Sequence, residues 1–372
     1  MAEAPLRILA VGDGQSRHLI RWARRLVDRG HEVHVVSNRI SSRPNELDGI
    51  TAHRYSDLDP RMKIRGLRRF WFSTALRELA RRVQPDIVHS HYLLPHGYWA
   101  ARAELQPLVV SPWGKEAIVD VWNSPAGRRR AEAAIAPGRR FVINSLALER
   151  ASVRLGADPA LIRRILWHAN IDDYSPARAD RAGLRARHGW PQETPVVLSL
   201  RNFRPYTNLD VLLRAFAHVV REEPAARLLS SAGGGWTRDE TERLIDELSL
   251  RSHVAIEEVD ARDLPAVVAS ADLVVTLADV DSSPASLLES MASGLPIVCG
   301  IAPSMDEWVQ QDEGAEMVER RDVDAVAAAM LKLIRDPDLR RRYGQRNERE
   351  VRSRFGDPGA ELESVYREVL AG

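Results

Sequence analysis

The stretch Leu273-Val274-Val275-Thr276-Leu277, then Asp281-Ser282-Ser283-Pro284-Ala285-Ser286-Leu287-Leu288-Glu289-Ser290-Met291-Ala292-Ser293-Gly294, then Pro296-Ile297-Val298-Cys299, reads as strand, loop with short helix, and strand. Both apolar runs have the length and composition of strands buried on two faces. Between them Ser283 is placed to cap a helix and Pro284 to occupy its first position. The next amides, of Ala285 and Ser286, are then free donors at the positive end of the helix dipole, a seat for a phosphate. Asp281 lies in the polar loop before the helix. Glu289 lies about one turn into it, roughly 6–8 Å further along the axis. A phosphate seat between two carboxylates, each able to accept from sugar hydroxyls, suits a nucleotide sugar.

Outward from this unit, strand runs alternate with helical patterns along the whole chain, as in parallel α/β domains. In the first half strands fit Arg7–Val11, Glu32–Ser37, Asp86–His91, Leu108–Ser111 and Arg140–Asn144, with helices such as Arg17–Arg29 and Leu67–Val83 between them. In the second half they fit Val196–Leu200, Arg227–Ser230, Val254–Glu258, Leu273–Leu277, Pro296–Cys299 and Ala315–Val318. The helices there are Leu209–Arg221, Arg238–Leu248, Leu264–Ala271 and Val323–Ile334. A Rossmann-like unit occurs twice. Prolines, glycines and aspartates interrupt the pattern near 170–195, which divides the chain into a first domain at 1–170, a hinge at 171–194 and a second domain at 195–354. A last amphipathic helix follows at 355–372.

Composition narrows the class. With 44% hydrophobic and 28% charged residues, 372 residues suffice for two or three real cores. A net charge of +1 does not call for nucleic acid. No apolar run approaches a membrane span, and the start Met1-Ala2-Glu3-Ala4-Pro5-Leu6 has neither a basic nor an apolar leader region, so no secretion signal is expected. Cys299 is the only cysteine, so no intrachain disulfide forms, which fits a reducing cytoplasm. Gly12-Asp13-Gly14-Gln15-Ser16 joins the first strand to the first helix, where Ser16 can cap, but no G-x-G-x-x-G is present and a nicotinamide or flavin site is rejected.

The segment Leu273–Gly300 resembles the E-x7-E donor motif of retaining family 4 glycosyltransferases, which have the GT-B fold. The resemblance extends to the Gly-His-Glu-Val start, the Pro-Asp-Ile-Val-His run and most of the second half. It implies two Rossmann-like domains facing across a cleft, with the C-terminal helix crossing back to the N-terminal domain. In the family the first acid addresses the transferred sugar and the second the ribose, which puts Asp281 and Glu289 in those roles. The first acid is Asp here, about one methylene shorter than the usual Glu. An Arg after the first strand of the second domain neutralises the diphosphate, and Arg201 matches it. The Lys expected five or six residues later falls on Tyr206 or Thr207, and Arg204 is the cation that can replace it.

The resemblance places the Gly12–His18 loop beside donor phosphates and acceptor, making Gly12 and Gly14 donor residues and Ser16 and His18 acceptor residues. A β–α turn without a ligand accounts for the same loop. Gly234 and Val259 are expected near the nucleotide. A family histidine that contacts the donor sugar is replaced by Trp113, an aromatic platform or ordinary packing, with Lys115 and Glu116 at the same rim. His91 closes its strand toward the cleft, whereas His89 reads as a core histidine. Counting back from Pro176, a family hinge Gly and Asp become His168 and Asn170, through drift or for an unusual substrate. Neither the histidines nor Asp279-Val280-Asp281 is expected to hold a metal. The basic amphipathic stretch Arg61–Val83 is a helix on its own sheet, or a peripheral membrane contact.

The expected activity is transfer of a sugar from a nucleoside diphosphate to a small-molecule acceptor with retention, in the cytoplasm, in specialised metabolism, with Asp281 and Arg201 as catalytic residues and no cofactor beyond the nucleotide-sugar co-substrate. A sugar-nucleotide epimerase of the same fold and a nucleotide-sugar-binding protein without catalysis are the alternatives.

Overall fold

The computed structural model of the chain describes residues 4–41, 47–58, 71–231, 238–302 and 304–372. The chain divides into two compact units, Met1–His168 with Gly356–Gly372, and Ala169–Phe355. Gly234 and residues 61–70 of the basic stretch lie outside the described residues.

The first unit is a parallel sheet of β1 (Arg7–Val11), β2 (Glu32–Ser37), β3 (Ile50–Arg54), β4 (Ile87–His91), β5 (Leu108–Ser111), β6 (Gly138–Ile143) and β7 (Ile162–Arg164), in the order β3-β2-β1-β4-β5-β6-β7. The second holds β8 (Val196–Ser199), β9 (Arg227–Ser231), β10 (Val254–Glu257), β11 (Leu273–Thr276), β12 (Ile297–Gly300) and β13 (Ala315–Val318), in the order β10-β9-β8-β11-β12-β13. In each sheet the order reverses beside the first strand, at β1/β4 and at β8/β11. At such a reversal successive crossovers lead away on opposite sides, which is where open α/β sheets generally offer a ligand crevice at the carboxyl ends of the strands.

Most central strands are buried on both faces and rich in Val, Ile and Leu, which is why the sequence marks them. The two strands that the sequence does not mark, β3 and β7, are the edges of the first sheet. In Ile50–Arg54 only Ile50 is buried, and Ile162–Arg164 is three residues long. Helix Arg17–Val27 buries Leu19, Ile20, Trp22, Ala23 and Leu26 on one stripe. Helix Phe72–Val83 turns Leu76, Leu79 and Val83 into the core of its own unit. The apolar stripe of the basic stretch is therefore used internally.

The C-terminal helix Pro358–Ala371 starts on Asp357, whose carboxylate caps the Gly359 and Ala360 amides. It packs Leu362, Val365 and Tyr366 with Ile8, Trp22 and Leu26, and so completes the first unit. Residues 169–194 fold with the second unit. Arg185, with a side chain 3% exposed, donates to Thr194 O, Ser270 O and Asp272 Oδ2, and Asp272 also accepts the Val196 amide at 2.8 Å. Each buried charge there has a partner, the condition for tolerating it.

The 18-residue helix Pro337–Arg354 is strongly charged, and its apolar stripe is thin: it buries Leu339, Tyr343 and Val351, the first two in the core of the second unit. It also docks through Gly344, where a Cβ would collide with Gly294 O, and through Asn347, whose Nδ2 donates to Leu295 O and Gly314 O. Close backbone contact at a glycine supplements that thin seam.

Candidate active site

At the β8/β11 reversal the second unit gathers charge. Arg201 follows β8 and reaches across to the neighbouring strand end. Its Nε donates to Thr276 Oγ1 at 2.7 Å and its Nη2 to Asp281 Oδ2 at 2.7 Å. The Arg201 and Asp281 side chains are 14% and 20% exposed. Asp281 Oδ1 accepts the Ser282 amide at 2.9 Å, which fixes the carboxylate in the loop.

Helix Ala285–Ala292 begins one residue later than the sequence suggests. Pro284, with extended backbone, is the N-cap residue, and no side chain caps the helix, so Ser283 does not do so. The Pro284 carbonyl accepts from Leu287 and Leu288. The Ala285 and Ser286 amides head the helix and make no hydrogen bond with the described residues. Glu289, 6% exposed, accepts the Asn170 amide at 3.4 Å. Asn170 thus belongs with the second unit, and its side chain donates to Asp173.

The loop between β11 and this helix is clamped by Asn208, a residue no motif marked. Asn208 sits at φ 52°, a left-handed position that asparagine tolerates. Its Nδ2 donates to Leu277 O and Asp279 Oδ1, both at 2.8 Å. Asp279 also meets Arg320 at 3.2 Å and Arg321 at 2.8 Å. Burial opposes the charge on Asp279, but hydrogen bonds from Asn208 and Arg321 outweigh it and hold the carboxyl below its ordinary range. Asp279 is turned to arginines, and among the described residues no cluster suited to a metal forms. Val259 is buried just after β10. Cys299, in β12, has its thiol pushed up to about 12 by burial.

At the β1/β4 reversal the first unit gathers rings. A Cβ on Gly12 would meet Leu19 Cδ2 at 2.8 Å and His91 Cβ at 3.3 Å, and one on Gly14 would meet Arg39 O at 2.8 Å. The Gly14 amide donates to Ser37 Oγ at 2.9 Å and the Gly12 amide to Val36 O. Backbone contact at Gly14 therefore calls for glycine, whereas at Gly12 the Leu19 side chain could give way. Ser16 stands at the N-cap position of helix Arg17–Val27 without making the side-chain cap bond expected of it.

His91 is fully buried. Trp113 Nε1 donates to His91 Nδ1 at 3.3 Å, which puts the imidazole proton on Nε2. Burial, with His89 and His96 nearby, holds its pKa well below the ordinary histidine value. His89 is bonded to Tyr366 Oη and Ser111 Oγ, each at 2.7 Å, and burial lowers it to about 3. Trp22 packs edge to face on both histidines, and Trp113 and Trp167 do so on His91. The His168 carbonyl accepts from Arg21 at 2.7 Å and lies 3.3 Å from His18 Nδ1. Lys115 pairs with Asp120. Glu116 is turned inward instead of standing at the rim. It accepts the Trp113 and Gly114 amides at 2.7 and 2.9 Å, and burial raises its pKa.

Two family models match this chain: Glycosyltransferase Family 4 over residues 12–166, and Glycosyl transferases group 1 over residues 180–350. The chain belongs to the family 4 glycosyltransferases. Among known relatives, N-acetyl-alpha-D-glucosaminyl L-malate synthase of Bacillus anthracis is 24% identical over 93% of this chain and 92% of its own. D-inositol 3-phosphate glycosyltransferase of Thermobispora bispora is 27% identical over 99% of this chain and 93% of its own. Among solved structures, Anabaena HepE in complex with UDP and glucose matches with a TM-score of 0.80 at 18% identity, over 98% of this chain and 100% of that one. WaaG, a glycosyltransferase of lipopolysaccharide biosynthesis, matches with a TM-score of 0.76 at 14% identity, over 98% and 100%. These likenesses extend the shared fold over nearly the whole chain.

As a family 4 glycosyltransferase the chain is divergent, and the structure shows what fills the altered positions. The lysine position offers no cation: Thr207 is buried and its hydroxyl donates to Asn202 O and Arg204 O, while Tyr206 O accepts the Asp279 amide. Half-buried Arg204 stands just before this turn. Trp113 brings an indole that packs on Tyr92, with ring centres 4.3 Å apart. Among the described residues no helix is long and apolar enough to cross a membrane.

Proposed function

We propose that this glycosyltransferase transfers a sugar from a nucleoside diphosphate to a small acceptor, with retention at the anomeric carbon and without a metal ion. One observation carries the reading. Within the second unit a guanidinium, two helix-leading amides that meet no partner among the described residues, and two carboxylates converge on one strand-order reversal. Breaking the sugar–phosphate bond builds positive charge on the sugar and negative charge on the departing diphosphate. Arg201, assisted by Arg204 and the Ala285 and Ser286 amides, meets that negative charge, and such preset electrostatics is usually the largest catalytic term. Glu289 takes the ribose and Asp281 the sugar. No side chain in this group serves as a nucleophile, so the acceptor attacks on the leaving-group face and its proton passes to the departing phosphate. The acceptor residues we assign to the first unit are His18, Trp113 and His168. Relatives are named for malate and inositol 3-phosphate, which supports a small acceptor carrying both a hydroxyl and an anionic group.

The test is calorimetry and thermal shift with UDP, GDP, ADP and dTDP, followed by transfer assays with the matching sugar donor. One diphosphate should bind and stabilise the wild type. Glu289→Ala should abolish that binding and Arg201→Ala weaken it at least tenfold, since charge-assisted bonds are the strong ones. Equal binding in all three proteins would remove the site. Donor converted without an acceptor and without change of mass would reassign the chemistry to epimerisation, and binding without turnover would leave a carrier of nucleotide sugars.

A further inference from the structure

Thr276 is the side chain that holds Arg201 from the strand side. It ends β11, which pairs with β8 where the strand order reverses, and it is 5% exposed. The rest of β11 is Leu273, Val274 and Val275, so at this position an apolar β-branched residue would serve packing as well. The hydroxyl is surplus to the fold.

Its geometry shows where it is used. Thr276 Oγ1 accepts from Arg201 Nε and Asp281 Oδ2 accepts from Nη2, each at 2.7 Å. A guanidinium is planar, and its five donors form a rigid fork. Nε and Nη2 share one edge, so two partners on that edge fix the plane and its rotation together. The opposite edge, Nη1 with the outer N–H of Nη2, makes no hydrogen bond with the described residues. A free arginine carries considerable rotamer entropy. Spending it during folding lowers the cost of meeting a ligand later. Asp281 orients the group but also offsets its charge, whereas Thr276 orients it and leaves the charge intact.

We propose that Thr276 is a positioning residue for the donor diphosphate, pinning Arg201 so that its outer edge is set to receive phosphate oxygens in a fork. This rests on the reading of Arg201 as the diphosphate cation.

The experiment is a double-mutant cycle read by calorimetry, using whichever of UDP, GDP, ADP and dTDP binds the wild type best. Thr276→Val keeps the shape and removes the acceptor, and Thr276→Ser keeps the acceptor. We expect Thr276→Val to raise Kd about three- to tenfold and Thr276→Ser to stay within about twofold, with melting temperatures close to wild type. In an Arg201→Ala background Thr276→Val should change nothing further. Wild-type affinity in Thr276→Val would overturn the proposal. So would an equal loss in both backgrounds, because the residue would then act on the fold and not on the guanidinium. If the wild type binds none of the four, or Arg201→Ala binds as the wild type does, the proposed function fails and this inference falls with it. Those failures show before any Thr276 variant is made.

Discussion

The strand-order reversals of the two sheets share a backbone plan and differ in chemistry. Beside β8 the second unit presents an arginine, two carboxylates and a helix headed by the Ala285 and Ser286 amides, with the Arg201 and Asp281 side chains partly exposed and Glu289 buried. Beside β1 the first unit presents histidines and tryptophans packed edge to face in a largely buried block, in which amides and glycines are committed to the protein's own packing. Charge that binds a diphosphate must stay reachable and oriented. Rings that shape a surface gain by being packed. The plan fixes where a ligand is met, and the side chains decide whether it is met by charge or by contour.

The largest effect that could break this contrast is acid. Burial lowers His89 to about 3 and His96 to about 4, and holds His91 well below its ordinary value. Unfolded histidines take up protons from about pH 6.5 downward, so the folded form's advantage is complete above that pH. It is lost as pH falls from there toward 4, each tenfold depression being worth about 1.4 kcal/mol. At pH 5, protection factors, which correct exchange for its own slowing in acid, should therefore fall at least about tenfold further in β4 and β5, relative to pH 7.5, than in β8 and β11. An equal fall in both units would erase the distinction. A smaller effect is expected at the ring surface. Trp113→Ala should raise the acceptor KM about tenfold while diphosphate affinity stays within about twofold. A matching loss for the diphosphate would show that the rings also serve the donor. The smallest effect tests the missing cation: Tyr206→Lys should tighten diphosphate binding about two- to threefold at low salt, and the gain should vanish at high salt.

Most of the fold was legible because central strands of a parallel sheet are buried on both faces and read as apolar runs. What escaped was β3 and β7, half-exposed edges, and the helix Pro337–Arg354, whose apolar stripe of Leu339, Tyr343 and Val351 is too thin to stand out among its charges. On the charged side, the carboxylates, Arg201 and the helix start were visible as spaced residue types. The one-residue shift from Ser283 to Pro284 as the cap was not, since both occupy such positions readily. Thr276 and Asn208 escaped because a threonine at a strand end and an asparagine before a helix are ordinary in sequence. Their importance comes from which arginine or loop carbonyl lies 2.7–2.8 Å away.

Sequence alone determined the two parallel α/β units and the residue types at the β8/β11 loops, because periodicity and helix-start signals act over a few neighbouring residues. Tertiary structure alone decided that Arg201 and Asp281, eighty positions apart, are one ion pair steadied by Thr276. It also decided that Glu116 turns inward and that His89 is sealed by Tyr366 of the last helix. Hydrogen bonds form only where partners meet in space, and distant segments meet only once the sheets are assembled.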